Sequence, residues 1–170
     1  MSSKNRNFFN PCAFPLPIPG SVVPQSAFRA INETIEQSVG PADLTQIEYP
    51  SEVFDLNNEY DPSTSTFIPK QDGVYSVIAS IGFLPEDVIS YSVRIFIVVN
   101  GNLRVADNDF LGEELLIVNL VSVSAILNLS KGDRVQVIAQ ATTDGNTVPE
   151  PLENTVHFMH FEAARFPSPI

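Results

Sequence analysis

Residues 73–83 read Gly-Val-Tyr-Ser-Val-Ile-Ala-Ser-Ile-Gly-Phe, with Tyr75, Val77, Ala79, Ile81 and Phe83 at every second position. The residues between them are mostly small or polar. A period of two puts one set on a single face of an extended chain, whereas a helix would scatter it around the axis. The segment is expected as a half-buried strand. Similar segments recur along the chain at 26–31, 46–49, 53–56 and 66–69, then at 90–99, 103–108, 115–129, 134–140 and 155–166. Asn100-Gly101 is the strongest hairpin signal, because both residues tolerate the positive φ of a type I′ turn. Lys131-Gly132-Asp133 punctuates a further pair, and Asp144-Gly145-Asn146 marks a loop. Residues 31–39 are expected to make at most a short helical turn, ended by Gly40-Pro41. Many strands with turn punctuation and no sustained helix specify an all-β antiparallel sandwich or barrel.

The first 24 residues differ in kind from the rest. Pro11, Pro15, Pro17, Pro19 and Pro24 fix φ and remove amide donors, so residues 1–24 read as an extended arm. Residues 25–170 read as one domain, with no internal repeat of solenoid length. Of the 170 residues 44% are hydrophobic, enough for a filled core without staples. Cys12 is the single cysteine, which excludes an intrachain disulfide and a thiolate zinc site. It reads as an incidental tail thiol or as an intermolecular cross-link.

Charge excludes further classes. Nine Lys and Arg against 20 Asp and Glu give a net charge of −11. That field repels phosphate backbones and anionic membrane surfaces, so no nucleic-acid partner is expected. No segment approaches the ~20 apolar residues of a spanning helix, so no membrane insertion is expected. Residues 1–20 do not read as a signal peptide, because the prolines break the apolar run. Charged residues make up only 17%, against the roughly 25% of an average domain. Part of the surface is expected to be covered by something other than water.

Leu115-Leu116-Ile117-Val118-Asn119-Leu120-Val121 shows where. It is apolar on both faces, whereas a sandwich strand needs only one apolar face. Residues 90–99 are similar, since Phe96 and Val98 oppose Ile95, Ile97 and Val99. A partner chain is the simplest second cover, and the arm folded back over the face is the other.

Several motifs then fall in order. Phe54-Asp55-Leu56-Asn57-Asn58-Glu59-Tyr60-Asp61 is followed by Thr66-Phe67-Ile68-Pro69 and Asp72-Gly73-Val74-Tyr75. Downstream come Leu129-Ser130-Lys131-Gly132-Asp133-Arg134-Val135, and upstream Ala27-Phe28-Arg29-Ala30. The set resembles the globular heads of the complement C1q family, over most of residues 25–166. Val77 stands where that family commonly has an aromatic residue, Asn58 and Tyr60 are closer than usual, and the strand around His157–Glu162 ends differently. The chain also carries no collagen-like Gly-X-Y stalk. These departures are more similar to bacterial relatives than to animal ones. The resemblance implies a ten-stranded antiparallel jelly roll of the C1q and tumour necrosis factor type, assembled as a homotrimer. It also implies an extracellular, cell-surface or spore-surface setting.

The candidate chemistry is sparse. Asp107-Asn108-Asp109 and Glu113-Glu114 are expected to bracket the turn before the long strand, and hard oxygen ligands are what Ca²⁺ requires. Some relatives hold Ca²⁺ near the trimer apex, which makes Asp107 and Asp109 the candidate ligands. The alternative is a solvated acidic loop with Asp turns. His157 and His160 are an odd number of residues apart and cannot share a strand face, which argues against a zinc pair. His160 reads as a hydrogen-bonded interior or interface residue. Lys131-Gly132-Asp133 is similar to a short integrin-binding tripeptide but sits where a hairpin needs Gly and Asp. No nucleophile elbow, phosphate loop or His-Glu-x-x-His pair occurs, so no enzyme activity is expected. The expected function is a trimeric recognition head binding protein or carbohydrate through loops at 85–90, 106–113 and 142–152. The alternatives are a structural block of a bacterial spore coat or exosporium, and a cupin-type enzyme that would need more histidines.

Overall fold

A computed structural model of the chain describes residues 25–112, 117–149 and 157–167. The arm at 1–24 with Cys12, Glu113 to Leu116, and residues 150–156 of the expected last loop and strand lie outside the described residues. The described residues form thirteen strand segments. They are β1 (Ala27–Ile31), β2 (Ser38–Val39), β3 (Thr45–Gln46), β4 (Ser51–Asp55), β5 (Tyr60–Asp61), β6 (Thr66–Phe67) and β7 (Gly73–Pro85). Then follow β8 (Tyr91–Val99), β9 (Asn102–Leu111), β10 (Asn119–Leu129), β11 (Val135–Ala141), β12 (Gly145–Thr147) and β13 (His160–Arg165). β7, β8 and β11 lie where the hydrophobic alternation puts them, whereas β10 and β13 start later than expected, residues 117–118 and 157–159 being outside any strand.

The strands divide between two antiparallel sheets. The seven-stranded sheet runs β2-β12-β7-β13-β1-β4, with β10 also paired to β7. The six-stranded sheet runs β5-β6-β11-β8-β9, with β3 also paired to β11. The first and last long strands are neighbours, Phe28 opposite Ala163 and Ala30 opposite Phe161. The inward faces enclose one core, in which Tyr75, Val77, Ala79, Ile81 and Phe83 are all buried. Aromatic rings tie the sheets together. Phe28 stacks on Tyr60 at 4.6 Å and on Phe67 at 4.8 Å, and meets Phe161 edge-on at 5.0 Å. The Tyr49 hydroxyl donates to the Ser80 carbonyl at 3.1 Å and that of Tyr60 to the Tyr49 carbonyl at 2.7 Å. Burial pushes both phenols up, so they stay protonated donors.

Local chemistry decides the departures from expectation. Residues 31–39 hold no helical turn, because buried Asn32 occupies the backbone groups a helix would use. Its Oδ1 accepts from the amides of Thr34 (3.1 Å) and Ile35 (2.9 Å), and its Nδ2 donates to the carbonyls of Ile35 and Glu48, both at 2.9 Å. The strand expected at 46–49 stops after Gln46, since the Tyr49 amide donates to the Ser65 hydroxyl at 2.7 Å instead of to a strand. Asp144-Gly145-Asn146 is less a loop than the start of β12. A Cβ at Gly145 would lie 2.5 Å from the Phe83 ring and from the Leu84 carbonyl, so glycine alone lets this strand close on β7. The Asn100-Gly101 turn has the expected positive φ values, Asn100 at 54° and Gly101 at 76°. Lys131-Gly132-Asp133 is a stitched turn, with the Lys131 amide donating to Asp72 (2.7 Å) and that of Gly132 to the Pro69 carbonyl (2.8 Å).

Candidate functional site

Strand alternation leaves the seven-stranded sheet an outward face that can be read row by row. One row runs Ser122, Ser80, His160, Ile31, and the next Ser124, Ile78, Glu162, Arg29, Phe54. A third runs Ile126, Ser76, Ala164, Ala27. Six of these thirteen side chains are Ser or Ala, set among larger ones. Ile126 is 70% exposed, Leu120 52% and Phe54 42%. A shallow hollow of about 150 Å³ lies between Phe54, Ile78, Ser76 and Ala164. The charges in these rows are Arg29 and Glu162, which pair at 3.5 Å. His160 stands beside them with Nδ1 buried and without a hydrogen-bond partner. Burial lowers its pKa, and Arg29 offsets the support Glu162 would give the charged form. His160 is thus at a sheet face, as its alternation required, but its Nδ1 is not hydrogen-bonded.

The two strands expected to need a second cover differ within the single chain. On β8, outward-facing Phe96 and Val98 are 9% and 2% exposed within the single chain, so this strand needs no partner copy. On β10, Leu120 and Ile126 remain open. Leu115 and Leu116 lie outside the described residues.

Asp107 and Asp109 sit within β9 rather than in a turn, because β9 runs on to Leu111. They pair with Ile95 and Val93, so they share the inward side of an edge strand, where both are exposed. A charged residue turned inward on an edge strand blunts edge-to-edge pairing. Each carboxylate accepts the next residue's amide, Asn108 at 2.8 Å and Phe110 at 2.9 Å. Among the described residues no group of three or more His, Cys, Asp or Glu is placed to hold a metal.

The register gathers the candidate loops at one end. Tyr91 opposes Leu111, Val93 opposes Ala141, and Pro85 opposes Gly145. The Glu86 amide donates to the Asp144 carbonyl at 3.0 Å, joining the 85–90 loop to the one after β11. Asp43, Glu86 and Asp144 line a cleft of about 360 Å³ there, and Val88 and Ile89 are exposed on the 85–90 loop.

Two features escaped the sequence. Glu59, buried inside the motif at 54–61, accepts from the Lys70 amide (2.6 Å), from Asn57 Nδ2 (3.1 Å) and from the Ser26 hydroxyl. Asp55 accepts from the amides of Asn57 (3.0 Å) and Tyr60 (2.7 Å). The motif that carried the resemblance is therefore architectural. The other feature is a polar cleft of about 460 Å³ lined by the 62–65 loop, Gln46, Glu48, Arg134 and Gln136. Its walls are too far apart in sequence for any motif to show them.

No protein-family model matches the sequence, and no curated protein matches it. Solved structures do match. Eiger TNF from S. frugiperda aligns with a TM-score of 0.61 and 16% identity, over 86% of this chain and 96% of that one. The globular domain of zebrafish complement 1qA gives 0.58 and 18%, over 84% and 98%. Murine APRIL at pH 5.0 gives 0.55 and 9%, over 84% and 99%. The chain has the jelly-roll sandwich fold of TNF and C1q globular domains. No helix among the described residues is long and apolar enough to cross a membrane.

Proposed function

We propose that this chain is a non-enzymatic recognition head that works as a homotrimer at an extracellular surface and contacts a protein or carbohydrate through its end loops. The observation that carries the reading is the outward face of the seven-stranded sheet. A chain of net charge −11 repels its own copies, so copies can meet only where charge is low. This face meets that condition: its charges cancel in the Arg29–Glu162 pair, its serines and alanines permit close approach, and Ile126, Leu120 and Phe54 are left to bury. Apolar area withdrawn from water contributes roughly 25 cal/mol per Å². The likeness to a complement globular domain and to TNF supports recognition rather than catalysis.

At the loop end, the carboxylates of Asp43, Glu86 and Asp144 with Val88 and Ile89 suit a partner surface that is basic and partly apolar. Ca²⁺ at Asp107 and Asp109 is a subsidiary proposal. Calcium takes six to eight oxygens, so other copies or water would supply the remainder.

Light scattering coupled to chromatography tests the reading, run with Ca²⁺ and again with chelator. The expected mass is that of three chains in both runs. A single-chain mass throughout overturns the proposal, and dissociation by chelator assigns Ca²⁺ to the assembly.

A further inference from the structure

The polar cleft on the six-stranded sheet is formed by groups whose hydrogen bonding is already committed on one side and open on the other. The Gln46 Nε2 donates to the Thr64 carbonyl at 2.8 Å, and its Oε1 accepts from Gln136 Nε2 at 3.1 Å. The same Gln136 nitrogen donates to the Thr66 hydroxyl at 3.2 Å. The 62–65 loop is pinned by Asp61, which accepts from the Ser63 amide (3.0 Å), the Ser63 hydroxyl (2.7 Å) and the Thr64 hydroxyl (2.8 Å). Ser65 holds a φ of 45°, a left-handed conformation uncommon for a non-glycine residue. Rigid polar walls of this kind present fixed acceptors rather than mobile side chains.

What remains open defines a ligand. Among the described residues the Arg134 guanidinium has no hydrogen-bond or ion-pair partner, nor does the Glu48 carboxylate. Gln136 Oε1 and the lone pairs of the Ser63 hydroxyl are free to accept. Arginine's planar fork suits a carboxylate bidentately, and the remaining sites call for several hydroxyl donors. Pro62 is the apolar residue of the lining, which gives an aliphatic or aromatic group little to pack against. A simple carboxylate lacks the donors, and a neutral sugar lacks the charge.

We propose that this cleft binds an acidic sugar, with Arg134 holding the carboxylate and Glu48, Gln136 and Ser63 accepting hydroxyls. The site lies on a sheet face away from the end loops, and it stands whether or not the chain trimerises.

Methyl β-glucuronide, methyl β-glucoside and acetate are titrated into the full chain and followed by amide NMR. Saturable binding of the glucuronide is expected, with shifts at the side-chain amides of Gln46 and Gln136, and at least about tenfold tighter than either control. Arg134→Ala removes that advantage over the glucoside, whereas Arg104→Ala leaves it intact. Arg134 is exposed and its backbone amide, not its side chain, bonds Asn100, so the fold should survive the substitution. Gln136→Ala weakens glucuronide and glucoside alike. No saturable glucuronide binding, equal affinity for the glucoside, or shifts confined to the 85–90 loop would each overturn the proposal.

Discussion

The two sheets of this sandwich share one core but turn different outer faces to the surroundings. The outer face of the seven-stranded sheet is rich in Ser, Ala and Ile, and its Arg29 and Glu162 pair with each other. The six-stranded sheet carries Arg94, Gln136 and Gln140 outward, and its apolar pair Phe96 and Val98 is already covered. Inward faces obey one rule, exclusion of water, whereas outward faces are free to diverge. Their divergence is therefore what the two proposals rest on: a copy of the chain for one side, a polar solute for the other.

The largest expected effect destroys both faces together. Phe161 packs edge-on against Phe28 and lies near Tyr49 and Tyr60, so it bridges the sheets. Phe161→Ala is expected to lower stability by about 3–5 kcal/mol, measured by urea unfolding. A loss below ~1 kcal/mol would mean that the faces do not depend on a common core.

The second prediction separates the faces. Ile126→Glu places an unpaired carboxylate where copies are proposed to meet and should weaken self-association by about a hundredfold or more. Arg94→Glu, on the other sheet, should leave the assembled mass unchanged. If sedimentation shows the reverse, the assembly uses the six-stranded face.

A smaller effect belongs to His160. Its folded pKa is lowered by burial, with Arg29 and His157 acting in the same direction and Glu162 opposing. Ser80 and Ile31 face it from the adjacent strands. The folded state thus binds this proton less readily than the unfolded state. The stabilisation is whole above the ordinary value of 6.5 and is lost as pH falls through the lowered folded value. Thermal melts across that window should show stability declining, and His160→Gln should flatten the decline. An unchanged slope in the variant would assign the pH dependence elsewhere.

The core was legible because alternation is local: β7, β8 and the Asn100-Gly101 turn follow from neighbouring residues alone. The sequence also singled out Leu120 among the open apolar residues of β10, but neither Ile126 nor the cover over Phe96 and Val98. Asp107 and Asp109 read as loop residues because polar residues resemble turns, and nothing local shows that β9 continues to Leu111. Asn32 and Gly145 act through partners distant in sequence, Glu48 for one and Phe83 for the other. The polar cleft lay further out of reach. Gln46, Ser63 and Gln136 meet only once β3, the loop after β5 and β11 are docked.

The smallest predicted effect concerns that cleft. The Ser63 and Thr64 hydroxyls hold the Asp61 carboxyl below its ordinary value of 3.8. A depressed carboxylate contributes its stabilisation above the unfolded value and loses it as pH falls through the folded one. Because the carboxylate is well solvated, the change should be local: the 62–65 loop loosens in acid while the core stays intact. Amide exchange at Ser63 and Thr64 should therefore accelerate relative to neighbours such as Phe67 below about pH 4. Asp61→Asn should reproduce that acceleration at neutral pH, since the amide is a weaker acceptor for the same donors. The seven-stranded face holds no part of this loop, so exchange along β10 should not respond. A matching change on both sheets would show that the acid response is global, and the independence of the two outer faces would fail with it.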